Sequence, residues 1–577
     1  MRETFAGIVL TRQHDKTPGL LFKDRRWTWA EVVQECADRA AALSSVPPPP
    51  DRQLHVGVLL ENVPDYVFWI GAAAVSGAVT VGLNASRRGA ELARDIRHAD
   101  VDLVITESRL AHLLDGDHGL PSARILDIDD PGYAAFLAPY LGAALPAALP
   151  APEDTAFLLF SSGSAGAPKA VIVGQGRLAR LTPVLADRIE LTRDSVTYLA
   201  MPLFHGNSVM MNLAPALATG ATVAMTRKFS ASGFSADIHR YQASYVNYVG
   251  RALSYVLSRP ADPRDRDGTL RLAFGTEASG TDVARFAERF GCRVVEGYGM
   301  TEGVFRIGRV AGTPPGSLGR PAGDADIRVL DEATGQECPR ARFDASGRQL
   351  NPGAVGQFVA AGLAHTFEGY YNNPAAMADR VRGADFWSGD LGYRDEEGWF
   401  WFAGRTSDWL RVNSENFAAV QVERIILRYP GIASAPVYAV PDPVTGDQVM
   451  CAVELVPGQD FDPERFGAFL GEQADLAGAW WPSFIRVTGA IPLTGSGKTD
   501  KGPLRRQAWN TADVVYRRDG RYVPLDDAGR RDLERQFTEH GRASLIPAGQ
   551  AERASSGTST CASGLPEPVT GSHPGAA

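Results

Sequence analysis

The chain has 577 residues, of which 44% are apolar and 22% are charged, values typical of a globular protein. This composition excludes a fibrous or wholly disordered chain, and the length predicts several packed domains, as in a multi-domain enzyme. The net charge of −9 at pH 7 has the wrong sign for a protein that neutralises phosphates along a nucleic acid, so we expect no nucleic-acid partner.

The cysteines are few and widely spaced, and no two of them form a CxxC pair, which favours neither a disulfide framework nor a zinc site. They are Cys36, Cys292, Cys338, Cys451 and Cys561. The first residues are interrupted by charges and lack the apolar core of a secretory signal. These features together predict a reducing, cytoplasmic location.

One uncharged segment, residues 66–83 (YVFWIGAAAVSGAVTVGL), is long enough to be weighed as a membrane span. It is rich in small residues, and Gly77 separates an alanine-rich stretch from the alternating Val79 and Val81. This pattern predicts a buried helix that ends at Gly77 and leads into a strand. We therefore expect no stable membrane span here.

Helical patterns alternate with short, branched apolar runs from about residue 20 to residue 330, as in HVGVLLE, DLVITES and TAFLLFSS. Such runs are typical of strands in a parallel sheet that is covered on both faces, and they predict an α/β class. Between Gly316 and Gly404 the strands alternate and are separated by glycines, which favours antiparallel, barrel-like pairing. A shorter alternation of helices and strands follows residue 405.

The strongest local signal for chemistry is FLLFSSGSAGAPKAV, residues 157–171, in which a buried-strand pattern leads into a loop of hydroxyl and glycine residues containing Lys169. Such a loop can turn backbone N–H groups toward a phosphate while lysine adds positive charge, although its composition also suits an ordinary surface loop. The later segment LTGSGKTDK ends like a Walker A loop, but Pro492 stands where that motif requires its first glycine.

Together with three further segments, GYGMTEG, FWSGD and GRTSD, these loops resemble the adenylate-forming superfamily of acyl-CoA synthetases, adenylation domains and luciferases. The motifs SSGSAGAPK, GYGMTEG, FWSGD, GRTSD and GSGK follow the family's order over most of the chain. The segments RKFSASGF and FGTEAS resemble the fatty-acid-transport-type branch of acyl-CoA synthetases.

The resemblance implies a large N-terminal domain, residues 1–404, made of two doubly wound α/β subdomains plus a small β-barrel. It also implies a smaller mobile α+β domain, residues 405–515, with a hinge near Ser407. We expect a C-terminal extension over residues 516–546. Residues 547–577 consist mostly of Ala, Ser, Gly, Thr and Pro, and this composition predicts a disordered tail.

The resemblance also implies roles for single residues. Tyr298 would stack on adenine, and Asp390 and Arg405 would bind the ribose hydroxyls. Thr301 and Glu302 would meet the α-phosphate, and Glu302 would hold Mg²⁺, since a hard cation prefers carboxylate oxygen. Taken alone, each of these residue types is also common as a core ring or a surface charge.

Two further residues are implied to act on the reacting groups. Lys498 would stabilise charge that builds between the substrate oxygen and the α-phosphate, and His205 would lie near that oxygen. The other implied nucleotide-binding residues are Ser161, Ser162, Gly163, Ser164, Gly166, Lys169, Gly275, Thr276, Glu277, Glu296, Gly297 and Gly299. The implied substrate-pocket residues are Phe204, Asn207, Tyr245, Asn247, Tyr248, Gly250 and Met300.

The chain departs from the family's pattern at several positions. Ala165 replaces a threonine that could touch the polyphosphate, and Ser407 replaces the usual hinge residue, for which Asp408 is a substitute. Ser414 stands where relatives have a glycine beside the pantetheine arm of CoA. The thioester step is therefore less firmly predicted than adenylation.

These observations leave more than one function open. The leading hypothesis is an ATP- and Mg²⁺-dependent ligase that forms an acyl-adenylate from a fatty or aromatic acid and transfers the acyl group to CoA. The alternatives are a diazotase that activates nitrite and couples it to an aromatic amine in secondary metabolism, and an enzyme that loads a carrier protein. A nucleotide-binding protein without turnover, or a membrane-associated importer, is less compatible with the intact Glu302, Asp390, Arg405 and Lys498.

The polar and aromatic residues of the implied pocket favour an aromatic or hydroxylated acid over a long alkyl chain. The expected partners are therefore small molecules: the acid or nitrite plus an amine, ATP and CoA. A homodimer is compatible with the sequence.

Overall fold

The computed structural model describes residues 3–547 except for 88, 161–168, 251, 279, 306, 315, 324, 345–349, 406–408, 413–414, 445, 474–475, 477 and 495–496. For residues 281, 352, 405, 409, 411, 415, 416, 418 and 479 it describes the backbone alone. The chain divides into two compact units. The first comprises residues 1–409, 416–421 and 492–500, and the second comprises residues 410–415, 422–491 and 501–577.

The first unit contains most of the strands and helices. Its strands, together with a short pair that follows, are β1 (Pro18–Phe22), β2 (Arg25–Thr28), β3 (His55–Leu59), β4 (Val79–Gly82), β5 (Leu103–Thr106), β6 (Ile125–Asp127), β7 (Thr155–Phe160), β8 (Ala170–Gly174), β9 (Val196–Leu199), β10 (Thr222–Met225), β11 (Tyr245–Val249), β12 (Leu272–Thr276), β13 (Arg293–Glu296), β14 (Ile307–Gly308), β15 (Arg320–Pro321), β16 (Ile327–Leu330), β17 (Gly356–Ala360), β18 (Tyr370–Tyr371), β19 (Val381–Arg382), β20 (Asp385–Arg394), β21 (Phe400–Arg405), β22 (Trp409–Val412) and β23 (Glu415–Ala418). Its helices are α1 (Phe5–Leu10), α2 (Trp29–Leu43), α3 (Pro64–Ser76), α4 (Ala90–His98), α5 (Ser108–Ala111), α6 (Pro131–Leu137), α7 (Gln175–Arg188), α8 (Gly206–Ser208), α9 (Ala214–Thr219), α10 (Phe234–Tyr241), α11 (Ala252–Leu257), α12 (Gly280–Phe290) and α13 (Pro374–Arg380).

Two largely parallel sheets dominate this unit. The first has the order β13-β12-β11-β9-β10-β1-β2, with β2 antiparallel to β1 and the other neighbours parallel. The second has the order β18-β8-β7-β4-β3-β5-β6, parallel from β7 to β6 and antiparallel at β8 and β18. The predicted α/β class is confirmed. In such sheets the loops at the carboxyl ends of the parallel strands form the binding crevice.

The glycine-punctuated region forms an antiparallel sheet, as its alternating pattern predicted. Its order is β16-β17-β20-β19, with β21 also paired to β20. Further isolated bridges among the described residues of this region include one that joins Gly319, just before β15, to Phe400 of β21. The barrel-like closure stays a prediction.

The uncharged segment 66–83 folds as its small residues predicted. Helix α3 ends at Gly77, which has a φ of +77°, and the chain then enters β4. Glycine takes this left-handed conformation without the steric cost that a Cβ brings. Within the described residues, no helix combines the length and the apolar character needed to cross a membrane.

The second unit is an α+β structure built on one mixed sheet. Its strands are β24 (Ile432–Ser434), β25 (Val437–Pro441), β26 (Asp447–Leu455), β27 (Phe484–Val487), β28 (Val514–Asp519) and β29 (Arg521–Pro524), and the helices after β23 are α14 (Ala419–Ile426), α15 (Pro463–Glu472), α16 (Lys501–Gln507) and α17 (Asp527–Glu539). The expected boundary at residue 516 falls inside β28, and Leu533 and Phe537 of α17 join the core cluster that contains Phe484 and Trp509. The expected disordered tail lies outside the described residues from residue 548 onward.

Helices α2 and α3 pack closely because Gly71 has no side chain. A Cβ at residue 71 would clash with Sγ of the buried Cys36. We therefore expect Gly71→Ala to cost about 1–3 kcal/mol of unfolding free energy through overpacking. Urea unfolding midpoints measure this loss.

The same substitution should cost less in a Cys36→Ala background, because the nearest remaining atom, Cβ of residue 36, is 3.1 Å away. Gly116→Ala is the control, since nothing lies within 4 Å of the added atom there. An equal loss in both backgrounds would contradict this account of the helix contact.

Candidate active site

The segment that carries His205 follows β9 and is held by Asn62, which comes from the end of the other sheet. The side-chain N–H of Asn62 donates to the carbonyl of Met201 at 2.9 Å, and its side-chain oxygen accepts from the N–H of Leu203 at 3.0 Å. Asn62 is 2% exposed, so water does not compete for these bonds. The backbone before His205 therefore has one well-defined course.

His205 caps the N-terminus of α8 and carries a neutral imidazole at pH 7. Its Nδ1 accepts from the backbone N–H of Asn207 at 3.3 Å, which leaves the ring proton on Nε2. Burial and, next, the positive charge of Lys498 lower the pKa of His205 to about 4, while Glu277 acts in the opposite direction. His205 thus presents a neutral N–H donor.

Lys498 stands at the end of a tight loop that belongs to the first unit. The N–H of Lys498 donates to Oγ1 of Thr494 at 3.1 Å, and the N–H of Thr494 donates to the carbonyl of Lys498 at 2.7 Å. The ammonium group of Lys498 pairs with a carboxylate oxygen of Glu277 at 2.6 Å. Glu277 has a φ of +71°, a strained conformation for a residue with a side chain. The turn after β12 therefore holds this carboxylate at the cost of backbone strain.

Thr301 and Glu302 are fixed by partners from other segments. The guanidinium of Arg177 donates to the carbonyl of Thr301 at 2.6 Å, and the hydroxyl of Tyr370 donates to Oε1 of Glu302 at 2.6 Å. The ammonium group of Lys169 lies 5.9 Å from the centre of the Tyr370 ring, and burial lowers the pKa of Lys169. The lysine of the phosphate-loop motif and the acidic residue of GYGMTEG therefore share one neighbour.

Glu302 fits the role of a Mg²⁺ ligand in its chemistry. It is 6% exposed and offers carboxylate oxygen beside a lysine suited to phosphate. No group of three or more metal-ligating side chains occurs in the part of the chain that the structure describes.

The predicted adenine and ribose residues lie together. The hydroxyl of Tyr298 donates to Oδ2 of Asp390 at 2.8 Å. The ring of Tyr298 packs edge-on against Phe305 and Phe358, with centroid distances of 5.9 Å and 5.6 Å. Arg405 pairs directly opposite Asp390 across strands β20 and β21, and its side chain is outside the described part of the structure.

The remaining described nucleotide-binding predictions fall at or just after the carboxyl ends of β12 and β13. They are Gly275, Thr276, Glu296, Gly297 and Gly299. Gly275 is required by packing, because a Cβ there would stand 2.5 Å from the ring of Tyr248. The hydroxyl of Tyr248 donates to Glu296, whose pKa is raised by burial.

The predicted pocket residues divide between the two faces of β11. Tyr245 and Asn247 alternate with Tyr248, so the last points to the opposite face. The side-chain amide of Asn247 donates to Asn207 at 2.6 Å, whereas Tyr248 packs in the cluster around α11 and α12. Asn247 thus contacts Asn207, Tyr245 lies on the same face of β11, and Tyr248 lies on the opposite face.

Close backbone approaches surround the other pocket predictions. A Cβ on Gly82 would stand 2.8 Å from the carbonyl oxygen of Phe204, and a Cβ on Gly250 would stand 2.7 Å from that of Gly497. Gly250 therefore lies against the loop that carries Lys498. Met300 is partly buried against the main core.

Several predicted residues lie outside the described part of the structure. They are Ser161, Ser162, Gly163, Ser164 and Gly166 of the phosphate loop, Ala165 beside them, the hinge residues Ser407 and Asp408, and Ser414. Their roles stay predictions.

Sequence reasoning missed Asn62, Arg177 and Tyr370, which hold the site's loops. An available signal for Asn62 was its position just after β3, at the carboxyl edge where crevice loops meet. Arg177 is 4% exposed in α7, and Tyr370 lies 68 residues after its partner Glu302. Contacts over such separations carry no local pattern.

The pKa of His205 can be tested through its charged neighbours. We expect Lys498→Ala to raise this pKa, because the substitution removes a nearby positive charge. Glu277→Gln should lower it further by removing the opposing negative charge. NMR titration of ¹³C-labelled histidine, with the His205 signal assigned by His205→Gln, measures both shifts. A pKa near 6.5 in the unsubstituted protein would contradict the neutral-donor assignment.

Two protein-family models match most of the chain. Residues 10–371 match the AMP-binding enzyme family, and residues 421–498 match the AMP-binding enzyme C-terminal domain. The chain belongs to the AMP-binding enzyme family. This confirms the predicted adenylate-forming superfamily.

Curated relatives identify the branch. The chain is 47% identical to the steroid-22-oyl-CoA synthetase of Rhodococcus jostii (strain RHA1) over 553 residues, which cover 94% of this chain and 99% of the relative. It is 43% identical to the medium/long-chain-fatty-acid–CoA ligase FadD17 of Mycobacterium marinum (strain ATCC BAA-535 / M), covering 86% of this chain and 95% of the relative. The chain is therefore an ATP-dependent, AMP-forming ligase of the acyl-CoA synthetase type. The comparisons do not support the diazotase alternative or a place in secondary metabolism.

Solved structures agree on the fold. ATP-bound MatB from Rhodopseudomonas palustris superposes with a TM-score of 0.75 at 22% identity, covering 88% of this chain and 98% of that one. A benzoate CoA ligase from Burkholderia xenovorans LB400 gives a TM-score of 0.74 at 21% identity, covering 87% and 99%. The predicted combination of a large N-terminal domain and a smaller C-terminal domain is the fold of these ligases.

Proposed function

We propose that this ligase activates a carboxylic acid borne on a bulky polycyclic body of the steroid type. The observation that carries the proposal is the 47% identity to a steroid-22-oyl-CoA synthetase along nearly its whole length. A medium- or long-chain fatty acid is the second candidate, favoured by FadD17 relatives that are 42–43% identical. An aromatic or hydroxylated acid, the class predicted from the pocket residues, is the third candidate.

The proposed reaction has two steps. A carboxylate oxygen of the acid attacks the α-phosphorus of ATP, the bond to the β-phosphate breaks, and pyrophosphate leaves. The CoA sulfur then attacks the acyl carbon, AMP leaves with the bonding electrons, and the thiol proton passes to solvent. Mg²⁺, when bound, offsets charge on the polyphosphate.

The site residues carry proposed roles in these steps. Tyr298 and Asp390 bind the nucleoside, a role supported by their direct hydrogen bond. Glu302 holds Mg²⁺, and Lys169 binds phosphate beside it. Lys498 stabilises charge on the oxygens that change bonding, next to the neutral donor of His205.

We further propose that residues 405–515 form a mobile domain with its hinge near Ser407, and that the enzyme works in the cytoplasm. The homodimer remains a prediction.

The substrate class is tested with purified protein, ATP, Mg²⁺ and CoA and a panel of acids. The panel holds a steroid-22-oic acid, a straight-chain acid of medium length, one of long chain, and a benzoate. We expect kcat/KM to be highest for the steroid acid, with AMP and an acyl-CoA mass formed in equal amounts. A higher kcat/KM for a straight-chain or aromatic acid would overturn the steroid proposal.

The role of Lys498 is tested by Lys498→Ala. If this lysine acts on the transition state, the rate of acyl-adenylate formation falls by about 10²–10³-fold, in line with the loss of one positioned donor or charge. The Kd for ATP should stay within about threefold, since the interaction is absent in the ground state. Lys16→Ala, at an exposed position, is the control. Retained adenylation in Lys498→Ala would exclude the role.

A further inference from the structure

Four polar side chains form a hydrogen-bonded chain that runs from β9 to Asn207 in α8. Thr197 Oγ1 donates to Asn212 Oδ1 at 2.7 Å, Asn212 Nδ2 donates to Asn247 Oδ1 at 2.8 Å, and Asn247 Nδ2 donates to Asn207 Oδ1 at 2.6 Å. The first two residues are 0% exposed and Asn247 is 1% exposed. We call these four residues the amide relay.

The direction of every bond in the amide relay is fixed by one backbone group. Asn212 Nδ2 also donates to the carbonyl of Tyr198 at 3.2 Å, and a carbonyl can only accept. The Asn212 amide therefore cannot be flipped, and its second N–H requires Asn247 to present its oxygen. Asn247 then donates to Asn207, which must receive that bond on its own oxygen.

The backbone around Asn212 is shaped to make this chain. Residues Val209–Leu213 form a turn of π-helix, in which the N–H of Ala214 donates to the carbonyl of Val209. Such turns occur often at functional sites. The hydroxyl of Tyr245 donates to the carbonyl of Met211 at 2.7 Å, so the turn is held to β11 by two side chains.

The amide relay ends in a donor. Because Asn207 Oδ1 is occupied, both N–H groups of Asn207 Nδ2 point away from the relay, and among the described residues no acceptor takes them. Asn207 is partly exposed, and its backbone N–H bonds to the ring of His205. The neighbouring Gly206 lies against Thr301, because a Cβ there would stand 3.3 Å from that side chain.

We infer that Asn207 Nδ2 donates a hydrogen bond to a carboxyl oxygen of the bound acid, and that Thr197, Asn212 and Asn247 are positioning residues that set this donor polarity. His205 Nε2 and Asn207 Nδ2 are then two neutral donors at one end of the pocket, beside Lys498 and Thr301. A carboxylate offers only acceptors, so it matches this set. The inference rests on the ligase activity and not on the identity of the acid.

A structural role for the amide relay makes a different prediction. If it served only to attach the π-turn to the sheet, the direction of its last bond would not affect substrate binding. Changing donor to acceptor at Asn207 with little change in shape separates the two.

The first test is Asn207→Asp in the full-length enzyme. AMP formation is assayed with the acid of the panel that has the highest kcat/KM. The residue keeps an oxygen for Asn247 and replaces the donor with an ionised acceptor. We expect KM for the acid to rise about tenfold to a hundredfold, as for loss of a hydrogen bond to a charged group, with KM for ATP within about twofold. As pH falls and the carboxyl gains a proton that it can donate, KM for the acid should fall toward the unsubstituted value.

The control for added charge is Gln13→Glu, an exposed amide-to-acid change, which should leave both KM values unchanged. An unchanged KM for the acid in Asn207→Asp, or equal rises for acid and ATP, overturns the inference. An inactive unsubstituted enzyme would instead contradict the proposed acid panel, so the two failures are distinguishable.

The second test reverses the hydrogen-bond direction at Asn207 by a substitution at its partner, Asn247. In Asn247→Asp, one oxygen still accepts from Asn212 and the other can accept only from Asn207, whose amide must then turn its oxygen toward the substrate. We expect KM for the acid to rise as in Asn207→Asp, although Asn207 itself is intact. Thermal unfolding shows whether this buried change folds; if it does, an unchanged KM for the acid refutes the relay, and if it does not, Asn207→Asp decides.

Discussion

The site depends on a short set of buried hydrogen bonds that joins the carboxyl ends of the two parallel sheets. Asn62 follows β3 of one sheet, and its side chain holds the backbone on both sides of Pro202, which follows β9 of the other. The N–H of Asn62 also donates to the carbonyl of Arg227, beyond β10, at 3.1 Å. Each sheet alone would present loops at its edge. The bonds of Asn62 turn the two edges into one crevice with a fixed distance across it.

Strain and burial then tune the groups inside this crevice. Glu277 adopts a left-handed backbone to reach Lys498, and Tyr370 orients the carboxylate of Glu302 from a strand far along the chain. His205 is kept neutral by burial and by the same lysine. Lys498 therefore acts on two neighbours at once: its charge is balanced by Glu277, and its field keeps the imidazole a donor without a charge. Removing Lys498 would raise the pKa of His205 as well as change the local charge.

Local pattern predicted the parts of this structure that depend on local physics. The apolar runs predicted the parallel strands because burial on both faces demands continuous branched residues, and Gly77 ended α3 where a positive φ is required. The resemblance implied that Tyr298 and Asp390 act at one nucleotide. The structure has their side chains hydrogen-bonded, and the shared role stays a prediction. Side chains alternate between the two faces of a strand, so the sequence of β11 already places Asn247 and Tyr248 on opposite faces. The resemblance nevertheless implies that both line the substrate pocket, because it assigns roles to positions and not to faces.

The sequence alone could not predict contacts between residues that lie far apart along the chain. Arg177 and Tyr370 hold Thr301 and Glu302 across 124 and 68 positions, and nothing near them in the sequence marks them as partners. The amide relay is similar: Asn212 lies in a π-turn, which has no simple sequence signature, and the polarity of its bonds depends on a carbonyl of β9. Single residues of the relay resemble ordinary core or loop asparagines until the fold joins them.

The arrangement around His205 has a consequence for catalysis. With the proposed roles, a carboxylate bound at this end of the pocket would meet the neutral donor of His205 and a lysine whose charge is balanced by Glu277, so formal charge would not hold it strongly before reaction. In the proposed reaction, negative charge moves from the carboxylate toward the phosphoryl oxygens during attack on the α-phosphorus, and the proposed role of Lys498 is to stabilise the charge there. Groups that bind weakly in the ground state and strongly as charge moves lower the barrier and not merely KM. A permanently charged histidine would instead stabilise the bound carboxylate before reaction, and such uniform binding does not lower the barrier.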